Sequence, residues 1–449
     1  MTIGSITNKF FIKTLSGLAN NNDSIVPMAV KDLTADVAIV DTYAKEGTKE
    51  DAAEKAIEEI GTSCLWLFGI PITKKIIDKT LYPMFGLKPD LDLRVIEDKN
   101  NFEAIKNSIK ETDSVLKPQK QVFDTLKDKA KFLGKKEIFL TNEQLYKTAF
   151  YAKFIVSTAA VAFGLNKLIS YKQKTTEQRI EKDYYKNNAS KILLNQSIKQ
   201  NDCYGAFTGK NKNNKNISFK GKEDILKSFL YNPIENTKIL DGTIAATRLN
   251  KARKGEKFEV AFREGFSFLF IYYIAKPLQY AFEFLGDKLK VPIKTDPSVI
   301  FTENIQEKIS SSKDEMKRII NSDNAVLEVL KLDSKNTIVD LLEKSGEVNV
   351  LKNSNGEAEA ISRFKYMNSD NIKSTLSNIL ELGEAKNINH VRALKTFAVI
   401  GNVALAILAI GKLQPKLNIL LRKIKNNGDN RNPAIVAKQK EMEAKFQQN

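Results

Sequence analysis

One histidine, two cysteines and three strongly polar side chains set inside apolar stretches are the first residues of this 449-residue chain to weigh for chemistry. His390 is the single imidazole, which excludes the common His-based metal sites and leaves one candidate for acid–base catalysis. It stands three residues after Asn387, in a polar approach to an apolar segment, and reads as a surface residue. Cys64 lies in an apolar run and Cys203 in a polar linker. Two isolated cysteines make neither a disulfide framework nor a metal-ligand pattern, and they fit a reducing compartment. The stretch "GAFTGKN" ends in Gly-Lys, but its spacing is wrong for a phosphate loop and no Ser or Thr follows. No dinucleotide fingerprint, nucleophile elbow or pair of carboxylates in an apolar setting is recognised in the sequence. The expectation is a non-enzymatic protein with no catalytic, cofactor-binding or metal residues.

Lys153, Lys276 and Asn402 sit within apolar segments. Ionisable groups at membrane depth are functional candidates by default, and these three would line a solute path if they converged. The competing expectation is snorkelling for the two lysines and an interhelical hydrogen bond for Asn402. A basic stretch, "RLNKARKGEKFEVAFRE", carries Arg248, Lys251, Arg253, Lys254 and Lys257. Its place beside an apolar segment points to anionic lipid heads as partner. Nucleic acid would call for interleaved exposed aromatics and a known module, neither of which is found. Protein partners or a homo-oligomer remain open. Glu59 and Glu264 just precede the first and third apolar segments, either as interfacial charges or as a polar entrance.

The elements that must position these residues are four apolar segments, 61–72, 148–165, 265–282 and 396–411. A spanning helix needs about 17–25 mainly apolar residues. The second and fourth nearly meet this. The first, with Pro71 inside it, and the third, with Lys276 next to Pro277, are short spans, re-entrant segments or core helices. Small residues recur at Ala152, Ala160 and Gly164, and at Ala398, Asn402 and Ala406, a spacing that suits close helix contact. Mean hydropathy is −0.32, so most of the chain lies outside any bilayer, and the net charge of +17 favours a polyanionic surface. The N-terminus does not read as a secretory signal; Phe10, Phe11, Ile12, Leu15 and Leu18 outline a short amphipathic helix that docks on the fold.

The segments repeat. Offset by 204 residues, "SCLWLFGI" from Ser63 faces "SFLFIYYI" from Ser267; nearer the second and fourth segments the offset grows to about 248, where Lys147-Thr148 faces Lys395-Thr396 and "DTLKDKAKFLGKK" near Leu133-Gly134 resembles "STLSNILELGEAK" near Leu382-Gly383. The expected organisation is a polar helical region 1–60, a first copy 61–170, a basic flexible linker 171–257, a second copy 258–425 with an insertion at about 321–365, and a tail 426–449. Helices are further expected at 98–116 and 302–320, and a flexible loop at 208–222. "AVKDLTADVAIV" and "GEVNVL" are the few β-rich words. The fold class is therefore mainly α, a duplicated, bacterial-type, membrane-associated protein with polar helical extensions. Two crossings per copy would give parallel repeats, with both termini and the linker 171–257 on the cytoplasmic side by the lysine/arginine bias. Three functions follow: a membrane-embedded scaffold or interaction protein, a small-solute pathway between parallel repeats, or a soluble helical protein binding polyanions.

Overall fold

The computed structural model describes residues 3–19, 26–87, 124–187, 233–253, 255–352, 356–365 and 368–448. The expected helix at 98–116, the expected loop at 208–222, and Lys254 lie outside these residues. Among them the fold is mainly helical.

In chain order the first elements are α1 (Ile3–Ala19), α2 (Val26–Glu46), α3 (Lys49–Lys55) and α4 (Gly61–Met84), the last two joined without a break by a π-helical turn at Ala56–Ile60. A hairpin of β1 (Lys129–Phe132) and β2 (Lys136–Thr141) leads into α5 (Asn142–Asn187). Then come α6 (Pro233–Lys251), α7 (Lys257–Phe268), a second π-helical turn at Leu269–Ile274, and α8 (Ala275–Lys288). Short helices follow: α9 (Pro297–Ile300), α10 (Ile305–Ser311), α11 (Lys313–Ile320), α12 (Ala325–Leu330) and α13 (Thr337–Lys344). An antiparallel hairpin of β3 (Val348–Lys352) and β4 (Ala358–Phe364) precedes α14 (Ser369–Gly383) and α15 (Ile388–Leu408). A third π-helical turn (Ala409–Leu413), α16 (Gln414–Lys425) and α17 (Pro433–Gln448) complete the chain.

Among the described residues, three helical stretches are long and apolar enough to cross a membrane: Lys49–Met84, Asn142–Lys186 and Ile388–Ile424. Their outer faces are apolar: Phe68, Ile155, Phe163 and Phe397 are 64, 64, 65 and 62% exposed. In water such a surface would be costly, whereas in hydrocarbon it is neutral. The third apolar segment is not among the three, although it lies in one continuous helix, 257–288.

These long helices pack as antiparallel pairs. Along α4 and α5, Gly61 lies against Leu168, Gly164 against Leu65, and Asp78 pairs with Lys153. Along α8 and α15, Asn402 donates to the Ala275 carbonyl (2.8 Å) and Phe282 meets Gly401 and Phe397. By contrast α2 runs parallel to α15 and its extension, for Lys31 meets Asn402 and Asp41 meets Lys412.

The described residues of 289–391 build a compact lobe at the start of α15, its core continuous with Tyr82 of α4, Ala130 of β1 and Leu145 and Ala149 of α5. Helices α9, α12, α13, α14 and α15 are started by polar side chains that accept from exposed N–H groups: Asp296 from Ser298, Asn324 from Leu327, Asn336 from Ile338, Asn368 from Asp370 and Asn387 from Asn389. The core is aliphatic, with Met316, Ile319, Val329, Ile338, Leu342, Leu376 and Ile379 fully buried. The N-terminal helix docks here too, through Leu15, a Phe11–Phe301 ring contact and a Ser16–Asp296 hydrogen bond of 2.9 Å.

"AVKDLTADVAIV", one of the few β-rich words, forms the middle of α2, where packing against α15 and its extension overrides the composition. Leu133-Gly134 and Leu382-Gly383, aligned in sequence, differ in structure: the first pair turns a β-hairpin with φ of 48° and 70°, and the second lies at a helix end.

Candidate functional site

At the polar end of α4 the fold buries an ion lattice. Glu58 and Glu59 lie in the π-helical turn at Ala56–Ile60 and are each 4% exposed. Arg263 of α7 donates to Glu58 (2.6 Å) and Glu264 (2.8 Å) and sits 3.0 Å from Glu59. Arg248 of α6 donates to Glu59 (2.9 Å), Glu264 (2.8 Å) and the Thr62 hydroxyl (2.8 Å). Lys172 of α5 closes on the other Glu58 oxygen at 2.8 Å. Beyond it, Arg422 bridges Asp51 (2.9 Å) and Glu259 (2.7 Å), whose other oxygen accepts from Tyr43. Arg253 is held by Glu54 and Glu256, both at 2.8 Å. Six helices are thereby fixed in register. Buried ion pairs add little net stability, but losing one partner is expensive, so the lattice specifies one arrangement of the bundle.

Beside the lattice is a cavity of about 420 Å³. Its walls come from α2, α4, α6 and α7, and it includes Ser63, Trp66, Ser267 and Phe268. All three π-helical turns reach it, through Glu59, Ile271 and Ile410. A π-turn inserts an extra residue into a helix and is frequent at functional sites. Three carboxyl groups face this space without a cation partner among the described residues: Asp32, Asp36 and Asp241. Asp32 and Asp36 stand one turn apart on α2, and the Ser63 hydroxyl lies 2.8 Å from the first and 2.5 Å from the second. Trp66 Nε1 also donates to Asp32, at 2.9 Å, and Tyr272 OH donates to Asp241 at 2.6 Å.

Burial, followed by the neighbouring Asp32 and Glu59 carboxylates, pushes the Asp36 carboxyl up to about 8. Burial likewise raises Asp241 to about 7, against the lowering effect of Tyr272. Both lie on helices outside the three apolar stretches. A serine hydroxyl has one proton to give. Both contacts to Ser63 are satisfied together when Asp36 is protonated and donates to Ser63, which then donates to Asp32.

The intramembrane candidates do not converge. Lys153 Nζ pairs with Asp78 at 2.5 Å and lies 4.5 Å from the Tyr82 ring centre. Lys276 is exposed, beside Tyr280. Asn402 is buried and accepts from Lys31 Nζ at 3.3 Å while donating to Ala275. None of the three lines the cavity. Of the basic candidates, Arg248 and Arg253 turn inward to carboxylates, because those acids are buried and demand countercharge; Lys257 is exposed and Lys251 half-buried. His390 is exposed at the start of α15, where its N–H is capped by Asn387. Glu59 and Glu264, singled out in the sequence, both line the cavity. Asp32, Asp36 and Asp241 were missed; the i,i+4 spacing of Asp32 and Asp36 amid Val, Ala and Ile was the available signal.

No protein-family model, curated protein or solved structure matches this chain, so the site rests on its own geometry.

Proposed function

We propose that this chain is a membrane-embedded, non-enzymatic scaffold or interaction protein built from two sister helical hairpins, with the lobe 289–391 carried outside the bilayer. The observation that carries the reading is the apolar outer face of three helices of spanning length, next to a lobe whose own apolar residues are buried. The lobe is a presented surface, and the ion lattice is the rigid mount that fixes the helices beneath it.

The duplication is supported by pairing register. Advancing Asp78 by 204 and Lys153 by 248 residues reaches Phe282 and Gly401. These also meet: a Cβ on Gly401 would lie 3.2 Å from Phe282. The same first offset relates Glu59 to Arg263, which pair with each other, and Ser63 to Ser267, which both line the cavity. On this reading helix 257–288 is a fourth crossing, running antiparallel to α15. The even number of crossings puts the C-terminus and the linker 171–257 on one side, the cytoplasmic one, with Lys257 toward anionic lipid heads, whereas α1 docks on the lobe at the other end of the bundle. The test is extraction of native membranes with alkaline carbonate: the protein stays in the pellet and enters solution only with detergent. Release by carbonate as a detergent-free monomer would refute it in favour of a soluble polyanion-binding protein.

A second reading, passage of a small solute between the hairpins, is favoured by one observation. The cavity lies where residues related by the first offset come together.

A further inference from the structure

We infer that the cavity between α2, α4, α6 and α7 is a binding site for a small organic amine, held in its protonated form by the carboxyl groups of α2 and α6. The inference goes beyond a scaffolding role and does not depend on whether the helices span.

Four observations carry it. The cavity, about 420 Å³, falls within the range of small-molecule sites and is too roomy for a bare inorganic ion. Among the described residues no group of His, Cys, Asp and Glu side chains is arranged to hold a metal. Its chemistry is divided. Ion pairs neutralise the lattice acids Glu59 and Glu264 with Arg248 and Arg263. Asp32, Asp36 and Asp241 keep only the Ser63, Trp66 and Tyr272 donors described above, so the negative charge available to a ligand is on the α2 and α6 walls. Trp66 and Phe268 supply aromatic surface, which attracts cations through the ring face and accommodates an apolar body. Finally, the three π-helical turns among the described residues all reach this cavity.

The exchange balances in charge. In the empty site the Asp36 proton forms the hydrogen bond to Ser63, which donates to Asp32. An ammonium group entering beside α2 takes the place of that proton: Asp36 gives it up to solvent, and the resulting carboxylate pairs with the ammonium, one positive charge in for one out. The charged and titratable groups around Asp36 are Asp32 on its own helix, Glu59 on the turn before α4, Asp241 and Arg248 on α6, and Arg263 and Glu264 on α7; the extension of α15 contributes Ile410.

The test is isothermal titration of the full-length protein in detergent with 2-phenylethylamine, and with 2-phenylethanol as its uncharged counterpart. The amine is expected to bind and the alcohol at least tenfold more weakly. At pH 7 the observed heat should vary with buffer ionisation enthalpy, reporting proton release. Asp36→Asn is expected to weaken amine binding tenfold or more and to abolish the buffer dependence. Ser267→Phe, which retains every carboxyl group but fills the cavity, is expected to abolish binding. Circular dichroism establishes that each variant is folded. Equal binding of amine and alcohol, no binding of either by folded wild type, or amine binding unaffected in folded Asp36→Asn and Ser267→Phe would each overturn the inference.

Discussion

Arg263→Met is the sharpest perturbation of the ion lattice. Three carboxylates, Glu58, Glu59 and Glu264, face three cations, Arg248, Arg263 and Lys172, in this part of the structure. Arg263 is 2% exposed and the only one of these cations that touches all three acids within 3.0 Å. Methionine keeps most of the volume and removes one buried positive charge. Glu58 retains Lys172 at 2.8 Å, Arg248 at 3.7 Å and Lys55 at 4.0 Å, and Glu59 and Glu264 retain Arg248, which places the cost at the lower end of the range for a broken buried pair, about 3 kcal/mol. Arg263→Lys keeps the charge but lacks the fork that spans three acceptors, and should cost less. Denaturant titration in detergent, followed by circular dichroism, measures both. The second mutation of a cycle, Glu59→Gln, removes the excess charge and should recover at least about 1 kcal/mol, within the coupling range of contacting residues. If Arg263→Met lay within about 0.5 kcal/mol of wild type, or if Glu59→Gln added its full cost on top, the lattice would not be fixing the bundle.

Three further outcomes follow. Asp36 is raised from an unfolded value of about 3.9 to about 8, so the folded state holds a proton that the unfolded state releases; stability should fall as pH rises through that window, by at most about 1.4 kcal/mol per unit, and Asp36→Asn should flatten the slope. A Cβ on Gly411 would lie 2.5 Å from that of Ala38 and 3.2 Å from the Ala35 carbonyl oxygen, so Gly411→Ala should destabilise the protein by about 1–3 kcal/mol in the same titration. Cys64 is exposed on α4, and in a Cys203→Ser background it should resist a membrane-impermeant maleimide in intact membranes yet react with a lipid-soluble one; ready labelling by the impermeant reagent would place this face in water.

The long helices were legible because their apolar runs survive any local ambiguity: 148–165 and 396–411 lie inside α5 and in α15 with its π-helical turn. The first segment reaches spanning length because α3, the π-helical turn and α4 join into one helix and Pro71 does not end it. Glu59 and Glu264 were noticed for standing next to apolar segments, but their joint role depends on Arg248, about 190 residues from Glu59, which spacing alone does not reveal. The basic run before α7 looked like a lipid contact because charge density is local in sequence, whereas its counterions come from α3, the π-helical turn and α7. Asp32 and Asp36 were hidden for a different reason: the period of α2 is set by what packs on it, and β-branched neighbours disguise it.

The π-helical turn at Leu269–Ile274 divides helix 257–288 into two halves that a regular α-helix would hold at another relative angle. Each residue advances a helix by about 100°. Deleting a single residue there would therefore act like a slipped gear tooth. Arg263 would keep its carboxylates while Phe282 swung off Gly401, or the reverse. The extra residue is what allows one rod to answer to two neighbours, an acidic knot at one end and a glycine notch at the other.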